Sequence, residues 1–355
     1  MKLKPSPSDP ILIWGGGAIG GTIAAYWARA GVPVLLVDVV REHVEACRTT
    51  GLRIEGPIDS FTQRIPAALP AELDGTFSRI VLAVKAQNTA SALNDLLPHL
   101  AADGFILSAQ NGLNEIIIAD MAGSERAMGC YLGFASDWLG PGQILYGGRG
   151  EVVVGEIDGQ KRPRAVEMHR LLTLFEPNAI LTDNIWGYLW SKLCLASMLF
   201  ATALNHDDMP TNFADPRRFP VFDRLAREVM AVARARNVTP QPFRNFDPMA
   251  FMPESEESVA RASVALLALR WSNSGKKHSG FWRDMAVRKR RTEVDHLMGP
   301  VTEFGTHAGV DTPAIRALIG LVHEIEDGRR EQSWDTFQVL FDQCAGESHH
   351  PQVGR

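Results

Sequence analysis

Apolar residues follow two rhythms along this chain, and the change between them divides it. In the first half, short apolar runs alternate with stretches of helical period. Strands are predicted over residues 11–13, 32–37, 80–84 and 105–108, and helices over 22–30 and 90–100. Alternating positions over 144–155 predict late antiparallel strands. Strand and helix taking turns in this way is the pattern of a doubly wound α/β sheet. Beyond it, long helical periods dominate at 186–204, 222–236, 254–271, 283–308 and 312–327, with few strand candidates. The boundary falls near residues 178–186, giving an α/β domain over 11–182 and an all-helical C-terminal domain over 183–345. The proline-rich stretch 237–253 is expected to be a loop lining a surface or a cleft. Residues 1–10 read as a disordered leader and 346–355 as a flexible tail, whose His349 and His350 are expected to be solvated rather than metal ligands.

The first strand runs into Gly15, Gly17 and Gly20, a G-x-G-x-x-G that opens the first helix through Ala18 and Ile19. This is a Rossmann-type dinucleotide grip. Gly15 allows the tight turn, Gly17 lets the backbone approach a pyrophosphate, and Gly20 lets helix and strand pack closely. The context is a complete βαβ unit, which makes a functionless glycine turn the weaker reading. Asp38 ends the second strand, 18 positions after Gly20. A carboxylate there accepts hydrogen bonds from ribose hydroxyls and repels a 2′-phosphate, favouring NAD over NADP, a preference that Arg41 could soften.

With 355 residues there is room for two domains, and 45% hydrophobic with 22% charged residues is the composition of a soluble globular protein. A formal charge of -5 argues against a general nucleic-acid binder. Without an apolar leader segment or an apolar run long enough to span a bilayer, neither secretion nor membrane insertion is expected. Scattered Cys47, Cys130, Cys194 and Cys344 read as reduced thiols of a cytoplasmic protein. No His, Cys, Asp or Glu set has metal-ligand spacing, so no metal is expected.

Several residues remain as candidates for chemistry. Lys85 follows a strand, and so would emerge at the cofactor-facing edge; it is otherwise an ordinary surface lysine. Gln110, Asn111 and Gly112 put an amide at the next strand end, or mark a turn. Lys192 sits in an apolar, aromatic helix, where a lysine either snorkels or works. Ketone reduction needs a proton donor for the forming alkoxide, and partial desolvation beside a cationic nicotinamide would bring a lysine's pKa toward neutrality. Glu293 could offset that lysine or bind the nicotinamide ribose. The nearby basic residues Arg283, Arg288, Lys289, Arg290 and Arg291 are expected to be spread around a helix as a solvated face.

Taken in order, these pieces resemble the ketopantoate reductase (2-dehydropantoate 2-reductase) family. The resemblance runs through Gly15 to Gly20, Lys85, Gln110-Asn111-Gly112, Ala135 with Pro141-Gly142, Trp190-x-Lys192-Leu193, Asp284, Thr292 to Asp295, and Gly309-Val310-x-Thr312-Pro313. It implies a Rossmann domain followed by a helical domain like the C-terminal one of 6-phosphogluconate dehydrogenase. It also implies that Lys192 is the proton donor, that Asn111 helps place cofactor and substrate, and that Lys85, Ala135 and Glu293 lie at the cofactor. Two asparagines usual in the family, four and eight residues after the lysine, are replaced by Ala196 and Phe200. A substrate-binding serine becomes Gly280, with Ser279 beside it. Loss of these polar partners points away from ketopantoate itself, because a site built to hydrogen-bond a hydroxyl discriminates by ~10⁴ or more. The family is mostly NADPH-dependent, so NADP stands beside the NAD that Asp38 favours.

The expectation is an enzyme moving hydride between a nicotinamide cofactor and a 2-oxo/2-hydroxy acid pair. Its partner is a small-molecule acid, with no nucleic acid or membrane, and a homodimer is permitted by the apolar helical half. One alternative is a non-catalytic NAD(H)-sensing module. Another is a different Rossmann-plus-helical hydroxy-acid dehydrogenase, for which His206 is the only mid-chain catalytic candidate.

Overall fold

Eight strands form the main sheet of the first of two units, Met1–Ile185, in the computed structural model, which describes residues 9–346 except 245, 274 and 275. The strands of this unit are β1 (Ile11–Trp14), β2 (Val34–Val37), β3 (Leu52–Glu55), β4 (Phe61–Gln63), β5 (Ala67–Ala68), β6 (Phe77–Leu82), β7 (Leu100–Ser108), β8 (Ala127–Leu132), β9 (Ala135–Gly140), β10 (Gln143–Gly148), β11 (Val152–Glu156) and β12 (Ile180–Leu181). Its helices are α1 (Ala18–Arg29), α2 (Arg41–Thr49), α3 (Thr89–Leu96), α4 (Asn114–Ala122) and α5 (Pro163–Thr173). The main sheet has the order β12-β11-β8-β7-β6-β1-β2-β5. It is parallel from β8 to β5, and β11 joins β8 antiparallel.

Both faces of this sheet are covered, as parallel strands require. Ile11 and Ile13 of β1 enter a core with residues of α1 and α5, whereas Leu12 and Trp14 enter a second core with residues of α3 and α4. The doubly wound expectation holds. A separate four-stranded sheet, β4-β3-β10-β9, packs on α1. Small residues of α1 let it approach: a Cβ on Gly21 would lie 2.5 Å from Ile144 Cδ1.

The second unit, Trp186–Arg355, is helical, and its described residues hold one isolated bridge, Phe243–Phe246. Its helices are α6 (Ile185–Thr202), α7 (Met209–Ala214), α8 (Phe219–Ala235), α9 (Glu257–Ser272), α10 (Gly280–Ala286), α11 (Val294–Leu297), α12 (Gly299–Ala308), α13 (Pro313–Glu326) and α14 (Trp334–Gly346). The amphipathic α8 buries Phe222, Leu225, Val229, Met230 and Val232 and packs against α9, α12, α13 and α14. Glu228 on this helix is buried, and its carboxylate accepts from Ala314 N–H at 3.1 Å and Ile315 N–H at 2.9 Å. A neighbouring helix thereby supplies acceptors for the open first turn of α13.

Several expectations are corrected. The helix expected over 283–308 is broken into α10, α11 and α12, and Lys289 has a φ of +50° in the break. The basic run is therefore not spread around a helix. Arg288 and Arg290 both donate to buried Asp284, at 2.9 and 2.8 Å, while Arg291 pairs with Glu326 and Asp327. The strands expected over 144–155 belong to two different sheets. The helix expected to reach residue 100 stops at Leu96, and β7 starts at Leu100. The stretch 237–253 buries Phe243, Phe246 and Phe251 while Asn237, Thr239, Arg244 and Met249 stay exposed, as a loop lining a surface does. Pro10, expected in the leader, is buried, and Arg79 donates to Asp9 O. Expectations for residues 1–8 and for 347–355, with His349 and His350, lie outside the described residues.

Candidate functional site

Trp14, Val37, Leu82 and Ser108 stand in register across β1, β2, β6 and β7. Gly15, Asp38, Ala83 and Ala109 therefore leave the sheet side by side. The chain runs from β1 outward to β2 and β5, then returns to β6 on the other side of β1, so this edge is a topological switch point.

Each glycine of the loop has a distinct physical reason. Gly15 has a φ of +104°, and a Cβ there would meet the Ala83 carbonyl carbon and Val84 N at 2.9 Å. A Cβ on Gly20 would stand 2.0 Å from Gly15 O. Among the described residues, a Cβ at Gly17 would meet nothing within 4 Å, and no side chain caps α1, which begins at Ala18 and Ile19. An open approach and an uncapped helix N-terminus are what a dinucleotide pyrophosphate requires.

Asp38 is turned toward this loop. Its Oδ2 accepts from Gly16 N–H at 2.7 Å and its Oδ1 from Val40 N–H at 2.9 Å. Arg41 opens α2 and is exposed. Beneath Gly16 lies His43, which the sequence reading missed although it shares an apolar face of α2 with Val44 and Cys47. Gly142 N–H donates to His43 Nδ1 at 3.0 Å, and a Cβ on Gly16 would touch His43 Nε2 at 2.9 Å. Burial lowers the His43 pKa from its usual 6.5, against the opposing charge of Asp38. Burial likewise pushes the Cys47 thiol up to about 12, so the group stays protonated and inert. From β9, Ser136 Oγ lies 3.1 Å from Ala18 O and 3.0 Å from Thr22 Oγ1, fastening Ala135 and its strand to the first turn of α1.

Lys85 follows β6, and Asn111 follows β7; the first is exposed and the second half-buried. Gln110 Nε2 donates to Val84 O at 2.9 Å and so ties the two loops together. Gly15, Gly17, Ala18, Ile19, Gly20, Asp38, Lys85 and Asn111 thus follow the ends of β1, β2, β6 and β7 on one edge of the first unit, and Ala135 opens β9, which Ser136 fastens to α1.

Lys192, Ser279 and Glu293 belong to the second unit. Lys192 is half-buried on α6, with Ala196 and Phe200 one and two turns further along the same face. Phe200 is fully buried and stacks on Phe281, with centroids 3.7 Å apart and planes at 11°. Ser279 caps α10, its Oγ accepting from Trp282 N–H at 3.1 Å. Gly280 faces open space, and Trp282 Nε1 donates to Asn205 O at 3.1 Å. These two links, Phe281 to Phe200 and Trp282 to Asn205, bring the start of α10 to the C-terminal end of α6. Glu293 is buried at the start of α11, where its carbonyl accepts from Leu297 N–H at 3.0 Å. His206 is exposed and meets the Trp282 ring edge-on. Among the described residues, no group of three or more His, Cys, Asp or Glu could hold a metal ion, and no helix is long and apolar enough to cross a membrane.

Sequence models of two families match the chain: "Ketopantoate reductase PanE/ApbA" over residues 11–159, and "Ketopantoate reductase PanE/ApbA C terminal" over residues 184–326. A 2-dehydropantoate 2-reductase of Streptococcus pyogenes serotype M6 is 23% identical over 89% of this chain and 97% of its own length. Another, of Archaeoglobus fulgidus, is 25% identical over 90% and 98%. Among solved structures, a PanE/ApbA family ketopantoate reductase of Ralstonia eutropha JMP134 superposes with a TM-score of 0.73 at 27% identity, covering 90% of this chain and 99% of its own. A ternary structure of D-mandelate dehydrogenase with NADH and anilino(oxo)acetate superposes with a TM-score of 0.77 at 23% identity, covering 90% and 98%; at that identity the likeness is one of fold.

Proposed function

The chain belongs to the ketopantoate reductase PanE/ApbA family, and from that premise we propose that it is a nicotinamide-dependent oxidoreductase interconverting a 2-oxo acid and its 2-hydroxy acid. The observation that carries this reading is the loop from Gly15 to Gly20, cramped at both ends and open at Gly17 before an uncapped α1. A bound nicotinamide dinucleotide supplies or takes up a hydride at C4. Backbone groups of Gly15, Gly17, Ala18, Ile19 and Gly20 hold the pyrophosphate, and Asp38 takes the adenosine ribose. Lys85, Asn111, Ala135 and Glu293 serve the cofactor's other half.

In the reductive direction Lys192 gives its ammonium proton to the carbonyl oxygen as the carbon is reduced, and recovers it in the reverse direction. Asn111 orients the carbonyl, donating through its side-chain amide. Ser279 keeps its hydroxyl proton to donate to substrate, because the cap uses Oγ only as an acceptor. Asp38 supports NAD as the preferred cofactor, in keeping with a structural neighbour solved with NADH; NADP is the family's usual alternative. The Phe200–Phe281 stack and Ala196, apolar where the family has amides, support a 2-oxo acid with an apolar substituent in place of ketopantoate. The aryl-bearing oxo acid bound to D-mandelate dehydrogenase supports the same choice. Four buried free cysteines support a reducing, cytoplasmic setting.

A screen of aryl, branched and hydroxylated 2-oxo acids with NADH and NADPH in parallel tests the reading. Turnover of an aryl oxo acid with NADH, lost in Lys192→Ala while NADH still binds, is the expected result. Near wild-type turnover in that variant overturns the role of Lys192.

A further inference from the structure

We propose that Gln110, Thr89 and Asn114 form a directional hydrogen-bond relay that locks the loops of Lys85 and Asn111 into one rigid unit. The importance of those two loops to the cofactor rests on the reading above; the relay itself rests on geometry. Gln110 Nε2 donates to Val84 O at 2.9 Å and to Thr89 Oγ1 at 2.7 Å. Thr89 Oγ1 lies 2.9 Å from Asn114 Oδ1, and Asn114 Nδ2 donates to Asn111 O at 2.6 Å. Since an amide NH₂ only donates, Thr89 must accept from Gln110 and pass its own proton to Asn114. This fixes the orientation of both amides and the rotor of the hydroxyl.

The relay begins and ends on main-chain carbonyls, those of Val84 and Asn111. Each belongs to a planar trans peptide, so a held carbonyl also sets where the following N–H points, at Lys85 and at Gly112. All three side chains are buried, and among the described residues Gln110 Oε1 has no hydrogen-bond partner, so this amide enters the crosslink through its donors. In a buried chain of this kind each hydrogen bond polarises the next, so the links strengthen one another. The chemistry to be positioned is unforgiving, since a displacement of about 1 Å can cost ~100-fold in rate.

Gln110, Thr89 and Asn114 are therefore positioning residues. Thr89→Val keeps the side chain's shape while removing the central acceptor and donor, and Thr89→Ser restores both. Two measurements on the full chain test the relay: hydrogen exchange over residues 84–89 and 109–114, and NADH affinity by fluorescence titration. In Thr89→Val we expect exchange to quicken in both segments together and the NADH Kd to rise about tenfold, with both restored in Thr89→Ser. Faster exchange confined to 84–89, or a lowered Tm without faster exchange in both segments, overturns the proposal. Lys85→Ala and Asn111→Ala separate the two ideas. If both bind NADH like wild type while the segments still loosen together in Thr89→Val, the relay stands and the cofactor role of those loops falls.

Discussion

Asp38 holds the peptide of Gly16 through a 2.7 Å hydrogen bond, so one carboxylate both braces the glycine loop and faces the candidate ribose position. Asp38→Ala removes both effects. Hydrogen bonds to charged groups contribute about 1.5–3 kcal/mol, so kcat/KM with NAD should fall roughly 10-fold or more, and the NADP-to-NAD ratio should rise. Steady-state kinetics with both cofactors check this; an unchanged ratio would remove Asp38 from cofactor selection.

The loop glycines separate folding from binding. Among the described residues, a Cβ on Gly17 meets no atom beyond its chain neighbours within 4 Å, whereas one on Gly20 collides with Gly15 O. Gly17→Ala should melt like wild type yet bind NADH at least about tenfold more weakly, because it fills the approach to the pyrophosphate. Gly20→Ala should instead lower Tm. Equal melting and equal binding in Gly17→Ala would refute the pyrophosphate assignment.

His43 makes stability depend on pH. Its folded pKa lies below 6.5 because the ring is buried, while the unfolded ring titrates near that value. Between the two pKa values the unfolded state binds more protons, so stability rises with pH. It is fully present above about 6.5 and declines as pH falls toward the lowered folded pKa. Denaturant midpoints at pH 7.5 and 5.5 should therefore differ less in His43→Asn than in wild type. Identical slopes would mean that His43 is not the titrating group.

The face shared by Lys192, Ala196 and Phe200 should govern substrate choice. Ala196→Asn returns an amide beside the lysine and should shift the kcat/KM ratio toward ketopantoate, and away from an aryl oxo acid, by about tenfold or more. A ratio unaffected by this change and by Phe200→Leu would place selectivity elsewhere.

Glu228 caps α13 from α8, so Glu228→Ala leaves two buried N–H groups unsatisfied. The expected loss is about 2 kcal/mol, or roughly 4–8 °C in Tm. Thermal unfolding checks this, and a shift of under a degree would show that water or a rearranged turn replaces the carboxylate.

Some of this molecule was written locally. The glycine loop, the strands around it and Asp38 follow from residues within one βαβ unit, where turn chemistry and apolar period agree over short distances. Lys192, Ala196 and Phe200 could be placed on one face because helix period alone does that. The break after residue 286 was not legible, because Arg288, Lys289, Arg290 and Arg291 are good helix formers and the turn there is set by pairings to Asp284 and to the distant Glu326. Nor could periodicity divide 144–155 between two sheets, since strand pairing is a choice among distant partners.

Sequence order, read by itself, determined the kind of fold, the position of the dinucleotide loop and the identities of the groups able to do chemistry. Tertiary structure decided what each group is held by: His43 beneath Gly16, Phe281 on Phe200, and Thr89 between Gln110 and Asn114. The physical reason is separation along the chain. Periodicity and turn preference act over a few residues, whereas these contacts join residues about 20 to 80 positions apart, and only the packed cores bring them together.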